Sequence, residues 1–350
     1  MGKTILIAAS GTGGHLFPAL YIARALLKED PSLSIHFVGA GRPLEEKIIT
    51  EFPRHVIKIV GVNRRGIKGL LQFISLLPKA AINCWRLLTE LKPAVVVGVG
   101  GYASVLPVTL ARIRGIPTWI HEAELSPGLA NKFLGYLVTK ASVAFPTAKM
   151  PRPSCVVPTG HPVREGLDVE PIAPNTPLNR LLITGGSQGA ESIDSAMLSL
   201  TDFIKVKGIS VYHQARPQNV EKLSEHYRTS GVSATVVPFI EDLAGAYRNA
   251  QVVISRSGAG SIMELGVVNR PAILVPFPSK GIGQLGNAKV LEDQGKAIVV
   301  EEGAEFVSRL RLALEKIFTP DVFFTMQANP CRERSLNAAE QIAKGILGLS

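Results

Sequence analysis

Two stretches of the chain open in the same way, and this shared opening constrains the fold more than any other feature of the sequence. LIAASGTGGHLFPAL (residues 6–20) and LLITGGSQGAESIDSAM (residues 181–197) each consist of an aliphatic run, a glycine-rich turn and a helical pattern. A strand, a glycine turn and a helix in this order typically begin a parallel sheet of an α/β protein. The sequence therefore predicts two such sheets, one in each half of the 350 residues.

Further aliphatic and β-branched runs alternate with helical patterns in both halves. The predicted strands are 5–9, 34–38, 95–99 and 118–121 in the first half, and 181–184, 210–213, 235–237, 252–255 and 272–275 in the second. The first helix is predicted over 16–27, with Pro18 suited to its first turn. This alternation is typical of βαβ units, so each half is expected to form a doubly wound, Rossmann-like parallel sheet.

A proline-rich stretch, residues 150–180, lacks a long apolar period and is predicted to link the two domains. The domain boundary is placed at 163/164. If the two sheets face each other, the loops at the carboxyl ends of their strands line one cleft, where ligands of open α/β sheets bind.

The composition indicates a globular protein with an anionic partner. Hydrophobic residues make up 46% and charged residues 19%, and the formal net charge is +10. This charge is compatible with nucleic acid, a phosphorylated ligand or an acidic membrane surface. The three cysteines lack the spacing of a zinc site or a disulfide framework, and no metal or cofactor is predicted. A reducing cytoplasm is the simplest location.

An uncharged stretch over residues 93–111 raises the question of a membrane span. Three glycines and a proline interrupt it, so a strand, a turn and a helix are predicted instead. The segment over residues 62–88 differs, because it mixes basic and apolar groups that suit an anionic bilayer or an ordinary packed helix. Its marked residues are Arg64, Arg65, Lys68, Leu70, Leu71, Phe73, Ile74, Leu76, Leu77, Lys79 and Trp85.

The glycines of SGTGGH have no side chains to shield the backbone before the first helix, so the backbone amides there can approach an anion or a sugar. The turn is neither a GxxxxGK[ST] phosphate loop nor a dinucleotide fingerprint, since no acid follows at the end of the second strand. His15 follows these glycines and is either a general base or a structural histidine at a helix start.

Four other segments are predicted at strand ends. GVGGY (98–102) and HEAE (121–124) belong to the first half, and GGSQGA (185–190) and SRSGAGSIME (255–264) to the second. The last two can donate amides to a diphosphate, and Glu264 either accepts hydrogen bonds from ribose hydroxyls or pairs with the helix dipole.

Together these motifs resemble the peptidoglycan N-acetylglucosaminyltransferases of the MurG type, which convert membrane-bound lipid I to lipid II. The similarity runs nearly end to end. It rests on GTGGHLFPAL, GVGGYAS, HEAELSPGLANK, HPVR, GGSQGA, FIEDL, SRSGAGSIMEL and QLGNA, in the family's order and spacing.

The resemblance implies a GT-B fold and an inverting transfer from UDP-N-acetylglucosamine to the muramoyl 4-hydroxyl of lipid I, undecaprenyl-pyrophosphoryl muramoyl-pentapeptide. It implies an acceptor- and membrane-facing domain over 1–163, a donor-binding domain over 164–334, and a C-terminal helix of about 335–350 that packs back on the first. It also implies a peripheral protein on the cytoplasmic face of the bacterial plasma membrane, acting in cell-wall synthesis and so in cell shape and division.

Carried over residue by residue, the resemblance implies His15 as the base candidate. It assigns Thr12, Gly13 and Gly14 to the donor, Arg164 and Ile240 to the uracil, Ser187, Ala259, Gly260 and Ser261 to the diphosphate, Glu264 to the ribose and Gln284 to the sugar.

Three departures from the family pattern affect these assignments. HEAE replaces HEQN, so Glu124 either accepts from a sugar hydroxyl or competes with His15 as the base. A usual pair of glutamines is reduced to Gly283 and Gln284, and NPVR has become HPVR, with His161 in place of asparagine.

Three alternatives remain. Another lipid glycosyltransferase, such as one making glycosyl diacylglycerol, would have a similar donor pocket, and a UDP-sugar 2-epimerase would turn over the donor alone. A nucleic-acid-binding protein is disfavoured, because the basic residues are scattered and no recognition motif is present.

Overall fold

The computed structural model describes residues 2–58, 66–186, 189–278, 283–332 and 335–350, with the backbone alone for 66–75. The chain divides into two compact units. The first comprises Met1–Val163 and Asn337–Ser350, and the second comprises Arg164–Leu336.

Within the described residues, the first unit contains a seven-stranded parallel sheet of order β3-β2-β1-β4-β5-β6-β7. Its strands are β1 Thr4–Ala8, β2 Ser34–Gly39, β3 Arg54–Val56, β4 Val95–Gly98, β5 Thr118–Glu122, β6 Lys140–Val143 and β7 Val156–Pro158. Its helices are α1 Gly13–Glu29, α2 Pro43–Ile48, α3 Gly66–Leu91, α4 Val105–Ile113 and α5 Leu129–Leu134, joined by the C-terminal α14 Ala338–Leu347. Strands β4 and β5 are buried along their whole length, as expected for the centre of a sheet covered on both faces.

The second unit contains, in its described part, a six-stranded parallel sheet of order β10-β9-β8-β11-β12-β13. Its strands are β8 Arg180–Thr184, β9 Ser210–Gln214, β10 Ala234–Val237, β11 Val252–Ser255, β12 Ala272–Leu274 and β13 Ala297–Val299. Its helices are α6 Glu191–Ser199, α7 Thr201–Val206, α8 Val220–Ser230, α9 Leu243–Asn249, α10 Ala259–Val268, α11 Gly283–Glu292, α12 Phe306–Ile317 and α13 Pro320–Ala328.

Helix α14 packs on the core of the first unit although it ends the chain. Ile342, Ala343 and Ile346 are buried in the cluster formed by α1 and strands β1, β2 and β4. Gly345 lies so close to the Trp119 ring that a Cβ would collide with it. Lys344 forms a surface ion pair with Glu29 at 3.6 Å. The helix therefore contributes to the hydrophobic core of the first unit.

The nine predicted strands are all present, with bounds shifted by no more than one residue. Strands β3, β6, β7 and β13 were not predicted, because each spans only three or four residues, too few to show a clear strand pattern. Strand β7 lies inside the predicted linker over 150–180. That prediction was wrong for the first part of the segment, which completes the sheet of the first unit.

Helix α1 begins at Gly13, three residues before the predicted start. The Thr12 carbonyl accepts hydrogen bonds from the amides of His15 and Leu16, which closes the first turn ahead of Pro18. The placement of Pro18 in that first turn was therefore wrong, and Gly13, Gly14 and His15 belong to the helix itself.

The uncharged stretch over 93–111 forms β4, a short turn and most of α4, as predicted. Within the described parts of the chain, no helix has both the length and the hydropathy needed to cross a bilayer.

Candidate functional site

The carboxyl edge of the first sheet carries three of the predicted motifs. Strands β1, β4 and β5 are neighbours, so the turn at Gly11–Gly14, the turn at Gly98–Tyr102 and the HEAE segment follow adjacent strand ends. The amides of Gly13 and Gly14 lie at the N-terminus of α1, where backbone N–H groups lack partners within the helix. This edge can therefore bind an anion or a polar sugar.

The His15 ring packs against the second glycine turn. A Cβ added at Gly100 would lie 2.7 Å from His15 Cδ2 and 3.0 Å from Nε2, so only glycine leaves room for the imidazole. The Nδ1 atom is buried and has no well-formed hydrogen bond to any described residue. Burial lowers the pKa of His15 below 6.5, and the nearby Ser10 carbonyl opposes this only in part. The neutral imidazole, the form that accepts a proton, therefore predominates near pH 7.

Two further histidines lie beside His15, and sequence reasoning did not assign them a role. His121 Nε2 lies 3.0 Å from His161 Nδ1, and both rings are buried. His121 Nδ1 also lies 2.9 Å from the Ser142 hydroxyl. Burial and the proximity of His15 lower the pKa of His161 to about 3. The pair is therefore uncharged at neutral pH, and HPVR is the sequence signal that marks it.

Glu122 is a buried carboxyl group that organises the segment after β5. It accepts hydrogen bonds from the Glu124 amide at 2.8 Å, the Gly128 amide at 3.2 Å and Asn131 Nδ2 at 3.0 Å. Burial outweighs these bonds and raises the pKa of Glu122 to about 7. The side chain of Glu124 is half-buried within the segment that Glu122 holds. The sequence marked the HEAE segment, but it did not show that Glu122 has a structural role and that Glu124 is the candidate for contact with the substrate.

Glu45 performs a similar task at the ends of β1 and β2. Its carboxylate accepts hydrogen bonds from the Ser10 hydroxyl at 2.6 Å and the Gly41 amide at 2.9 Å. The side chain is buried against Gly39, where a Cβ would collide with it. This acid in a six-residue helix carries no sequence signal that distinguishes it from a surface glutamate.

In the second unit, the GGSQGA turn follows β8. A Cβ on Gly185 would collide with the Ala190 amide, so the turn requires glycine. Gln214 Nε2 donates to the Gly186 carbonyl at 3.0 Å, while its Oε1 accepts from the Thr184 hydroxyl. Ser187, predicted to contact a diphosphate, lies outside the described residues.

The SRSG turn leads into α10, whose first three residues are Ala259, Gly260 and Ser261. Gly258 is the N-cap residue, and it has no side chain that could accept a hydrogen bond from the first amides of α10. The N-terminal end of a helix is the positive end of its dipole. This turn is therefore suited to a negatively charged group, and its contact with the diphosphate stays a prediction.

Gln284 joins the loops that follow β11 and β12. Its side-chain Oε1 accepts hydrogen bonds from the Phe277 amide at 2.9 Å and the Ser257 amide at 3.3 Å. Its Nε2 lies near Gly258, where an added Cβ would be 3.9 Å away. The carbonyl end of this side chain is thus used within the protein, and the amide nitrogen is the group aimed at the turn.

Arg164 and Glu264, both predicted donor contacts, meet in the second unit. Arg164 Nε donates to Glu264 Oε1 at 2.7 Å, and the Tyr247 hydroxyl lies 3.4 Å from Oε2. Burial and the negative charge of Glu264 raise the pKa of Tyr247 well above 10, so the hydroxyl stays protonated and can donate. Ile240, the other predicted uracil contact, is buried just before α9.

A buried arginine that the sequence analysis did not mark supports the same loops. Arg256 donates to Glu302 at 2.5 Å, to the Ser192 hydroxyl at 3.0 Å and to the Val275 carbonyl at 3.2 Å. It therefore ties the end of β11 to the segments after β12 and β13. Among the described residues, no group of three histidine, cysteine or acidic side chains is arranged to hold a metal ion.

Comparison with known proteins identifies two domains of one glycosyltransferase family. Residues 5–143 match the glycosyltransferase family 28 N-terminal domain, and residues 180–344 match the family 28 C-terminal domain. Each match begins at or next to the first strand of one unit.

Curated relatives share the sequence over most of its length. The "UDP-N-acetylglucosamine–N-acetylmuramyl-(pentapeptide) pyrophosphoryl-undecaprenol N-acetylglucosamine transferase" of Syntrophus aciditrophicus is 34% identical over 358 residues, covering 100% of this chain and 99% of the relative. The protein of the same name from Anaeromyxobacter dehalogenans (strain 2CP-C) is 36% identical over 306 residues, covering 85% and 80%. The crystal structure of Acinetobacter baumannii MurG superposes with a TM-score of 0.80 at 26% identity and 99% coverage of both chains.

Proposed function

Because this chain belongs to the family of UDP-N-acetylglucosamine–N-acetylmuramyl-(pentapeptide) pyrophosphoryl-undecaprenol N-acetylglucosamine transferases, we propose that it converts lipid I to lipid II. N-acetylglucosamine moves from UDP-N-acetylglucosamine to the muramoyl 4-hydroxyl with inversion at the anomeric carbon. The chain has the GT-B fold, with two Rossmann-like parallel-sheet units. This reaction places the enzyme in peptidoglycan synthesis and so in cell shape and division.

The observation that carries the mechanism is the neutral His15 imidazole held against Gly100 at the carboxyl edge of the first sheet. In the proposed step, His15 takes the proton of the acceptor hydroxyl as its oxygen attacks the anomeric carbon. The bond from that carbon to the UDP oxygen breaks, and UDP leaves with the bonding electrons. His15 then returns the proton to solvent. A positioned base of this kind contributes about 10²- to 10⁴-fold to rate.

The proposed donor contacts lie in the second unit. The amides of Ala259, Gly260 and Ser261, together with Ser187, hold the diphosphate and stabilise the charge that develops on the leaving UDP. Glu264 accepts from the ribose hydroxyls, and Arg164 and Ile240 border the uracil. Gln284 donates from Nε2 to a sugar hydroxyl.

In the first unit, Thr12, Gly13 and Gly14 present backbone amides to the donor. Glu124 accepts from a sugar hydroxyl, as the neighbouring bonds to Glu122 fix its backbone. The base role remains with His15, because its ring is the group packed into the glycine turn.

We also propose that the first unit binds an anionic membrane surface, at the cytoplasmic face of the plasma membrane. Exposed apolar side chains lie on α3, on α4, and on α5 and the turn after it. They are Ile82, Trp85, Ile113, Leu129, Phe133 and Tyr136. Basic side chains accompany them, and the Arg114 guanidinium lies 4.9 Å from the centre of the Trp85 ring. An apolar surface with a basic margin is suited to an anionic bilayer.

Part of the predicted membrane segment lies outside the described residues. Neither Arg64 nor Arg65 is among them, and for five further residues only the backbone is described: Lys68, Leu70, Leu71, Phe73 and Ile74. Leu77 is half-buried and Lys79 is exposed. The proposal for the membrane therefore rests on the later turns of α3 and on α4 and α5. Nucleic acid is not among the proposed partners.

Transfer of labelled N-acetylglucosamine from its UDP donor to lipid I tests the function. Formation of lipid II supports the proposal. No product with lipid I, but turnover of donor alone, indicates an epimerase, and product with diacylglycerol indicates another lipid glycosyltransferase. Either result would overturn the proposed acceptor.

A further inference from the structure

Four buried polar side chains of the first unit form a continuous chain of hydrogen bonds from Trp119 to His161. Trp119 Nε1 donates to the Ser142 hydroxyl at 2.9 Å, and the same hydroxyl lies 2.9 Å from His121 Nδ1. His121 Nε2 in turn lies 3.0 Å from His161 Nδ1. None of the four residues is more than 2% exposed, so solvent does not compete for these bonds.

Strand pairing brings these groups together. His121 and Ser142 are partners in the register of β5 and β6. Trp119 lies two residues before His121, on the same face of β5. His161 follows β7, the strand beside β6. The chain of hydrogen bonds therefore ends at the carboxyl edge of the sheet, the edge that carries the glycine turns and the HEAE segment.

The donor in each bond can be assigned from the Trp119 end. The indole of Trp119 can only donate, so it occupies one lone pair of the Ser142 oxygen. The Ser142 hydrogen has two candidate acceptors, the Ile120 carbonyl at 3.3 Å and His121 Nδ1 at 2.9 Å. The first contact is long, because a hydroxyl usually donates to oxygen over about 2.5 to 3.0 Å. Ser142 therefore donates to His121 Nδ1.

The two histidines transmit this direction. Burial lowers the pKa of His121 well below 6.5 and that of His161 to about 3, so each ring is neutral near pH 7 and carries one proton. With Nδ1 accepting from Ser142, His121 carries its proton on Nε2 and donates it to His161 Nδ1. His161 must then carry its own proton on Nε2.

His161 Nε2 is the last group of the chain. It has no hydrogen-bond partner among the described residues, and it is not one of the fully enclosed atoms that lack a partner. An N–H group in a residue only 2% exposed normally has an acceptor, because an unpaired buried donor is costly. His161 lies three residues before Arg164, a proposed substrate contact, and His121 lies three residues before Glu124, another. A substrate oxygen can therefore supply the missing acceptor.

We propose that His161 Nε2–H donates a hydrogen bond to a sugar oxygen of a bound substrate, and that Trp119, Ser142 and His121 are positioning residues that fix this tautomer. The inference rests on the proposed function, which supplies two sugars with hydroxyl and carbonyl oxygens. A neutral N–H suits such oxygens, because they carry no full charge. The role differs from that of His15, since His161 holds the substrate and exchanges no proton with it.

The tautomers can be measured without any activity. Long-range ¹H–¹⁵N spectra of protein with ¹⁵N-labelled histidine distinguish a protonated ring nitrogen from a bare one, and His121→Asn and His161→Asn identify the two signals. At pH 7.5 both residues should carry the proton on Nε2. Ser142→Ala should populate both tautomers, because it removes the hydroxyl that sets the direction, and Ser142→Thr should restore the single form. A proton on Nδ1 of His161 in the parent protein would overturn the proposal.

Steady-state kinetics with each substrate varied in turn test the contact itself. His161→Phe keeps a planar ring but removes the N–H, and it should raise the KM for one substrate about tenfold. His161→Asn should stay within about threefold of the parent, because its amide still donates. His226→Asn, on a half-buried histidine of α8, is the matched control and should behave as the parent does. A merely structural role would reduce the amount of active enzyme, and so kcat, with KM unchanged.

The substrate whose KM rises identifies the source of the oxygen. A rise for UDP-N-acetylglucosamine assigns the oxygen to the donor sugar, and a rise for lipid I assigns it to the muramoyl acceptor. An unchanged KM for both substrates in His161→Phe would overturn the contact. Should that variant not fold, Ser142→Ala keeps His161 in place and should raise the same KM by a smaller factor. Failure of the parent to make lipid II would refute the proposed function instead, and the histidine spectra would still decide the tautomer.

Discussion

Arg164 Nε donates to Glu264 Oε1 at 2.7 Å, which joins the first residue of the second unit to α10, one hundred residues further along the chain. The side chains of the pair are 24% and 11% exposed. Among the described residues, the hydrogen bond to the other carboxylate oxygen is a long one, 3.4 Å from the Tyr247 hydroxyl. Glu264 is therefore held in one orientation while its Oε2 retains the capacity to accept a stronger hydrogen bond.

Replacing this carboxylate should weaken donor binding. Glu264→Ala is expected to raise the KM for UDP-N-acetylglucosamine about tenfold or more, because it removes the ribose acceptor and the ion pair with Arg164. Steady-state kinetics with varied donor measure the effect. Glu315→Ala, which alters an exposed pair with Arg311, serves as the control. A donor KM equal to that of the parent would remove Glu264 from the proposed ribose site.

The second prediction concerns the proposed base. His15→Ala should lower kcat about 10²- to 10⁴-fold. Because burial lowers the pKa of His15, the parent should keep its base neutral at pH 7 and lose kcat/KM only as the pH falls below about 6.5. A pH–rate profile with lipid I measures this acid limb. An acid limb centred near 7 that disappears in Glu122→Gln would instead assign it to Glu122, whose pKa is about 7.

Glu124 provides a separate test of which group is the base. Glu124→Asn restores the amide of the family's HEQN pattern and should retain kcat within about threefold, because an amide oxygen still accepts from a sugar hydroxyl. Glu124→Ala should raise the donor KM instead. A loss of kcat in Glu124→Asn as large as in His15→Ala would transfer the base role to Glu124.

The buried histidine pair should make the first unit sensitive to acid. The pKa of His161 is about 3 in the folded protein against 6.5 as its reference, so its contribution to stability is present above pH 6.5 and is lost as the pH falls below it. The expected loss from this group is about 1.4 kcal/mol per pH unit. Urea unfolding at pH 7.5 and 5.5 should therefore show a smaller loss in His161→Asn than in the parent.

Thr229→Asn changes an exposed residue of α8 without altering a titratable group, and it is the control for this experiment. It should lose as much stability as the parent between the two pH values. An equal loss in His161→Asn would mean that His161 does not bind protons on unfolding as its burial requires.

The proposed membrane surface can be tested on side chains that the structure describes. Ile82→Ser with Trp85→Ser should weaken binding to vesicles containing anionic lipid, since both apolar groups are exposed on α3. Donor affinity in solution should not change. Val206→Ser, on an exposed valine of the second unit, controls for loss of apolar surface elsewhere. Vesicle binding as strong as that of the parent would contradict the membrane proposal.

The sequence alone determined the architecture. Strands of a buried parallel sheet are aliphatic runs, and the tight turns that follow them require glycine, so both can be recognised in the sequence. The nine predicted strands and the turn glycines followed from this local pattern. The sequence also marked His15, which directly follows the glycines of SGTGGH, and Glu264, which ends the glycine-containing segment SRSGAGSIME.

Only the tertiary structure decided which residues, distant in the sequence, form hydrogen bonds and ion pairs with one another. The contacts of Glu45 with Ser10, of His161 with His121 and of Arg256 with Glu302 each depend on strand order, which brings together residues far apart in the chain. The short strands β3, β6, β7 and β13 likewise exist because a neighbouring strand completes their hydrogen bonds. Local sequence encodes no such partner, so burial, pKa and site geometry emerge only when the sheet has formed.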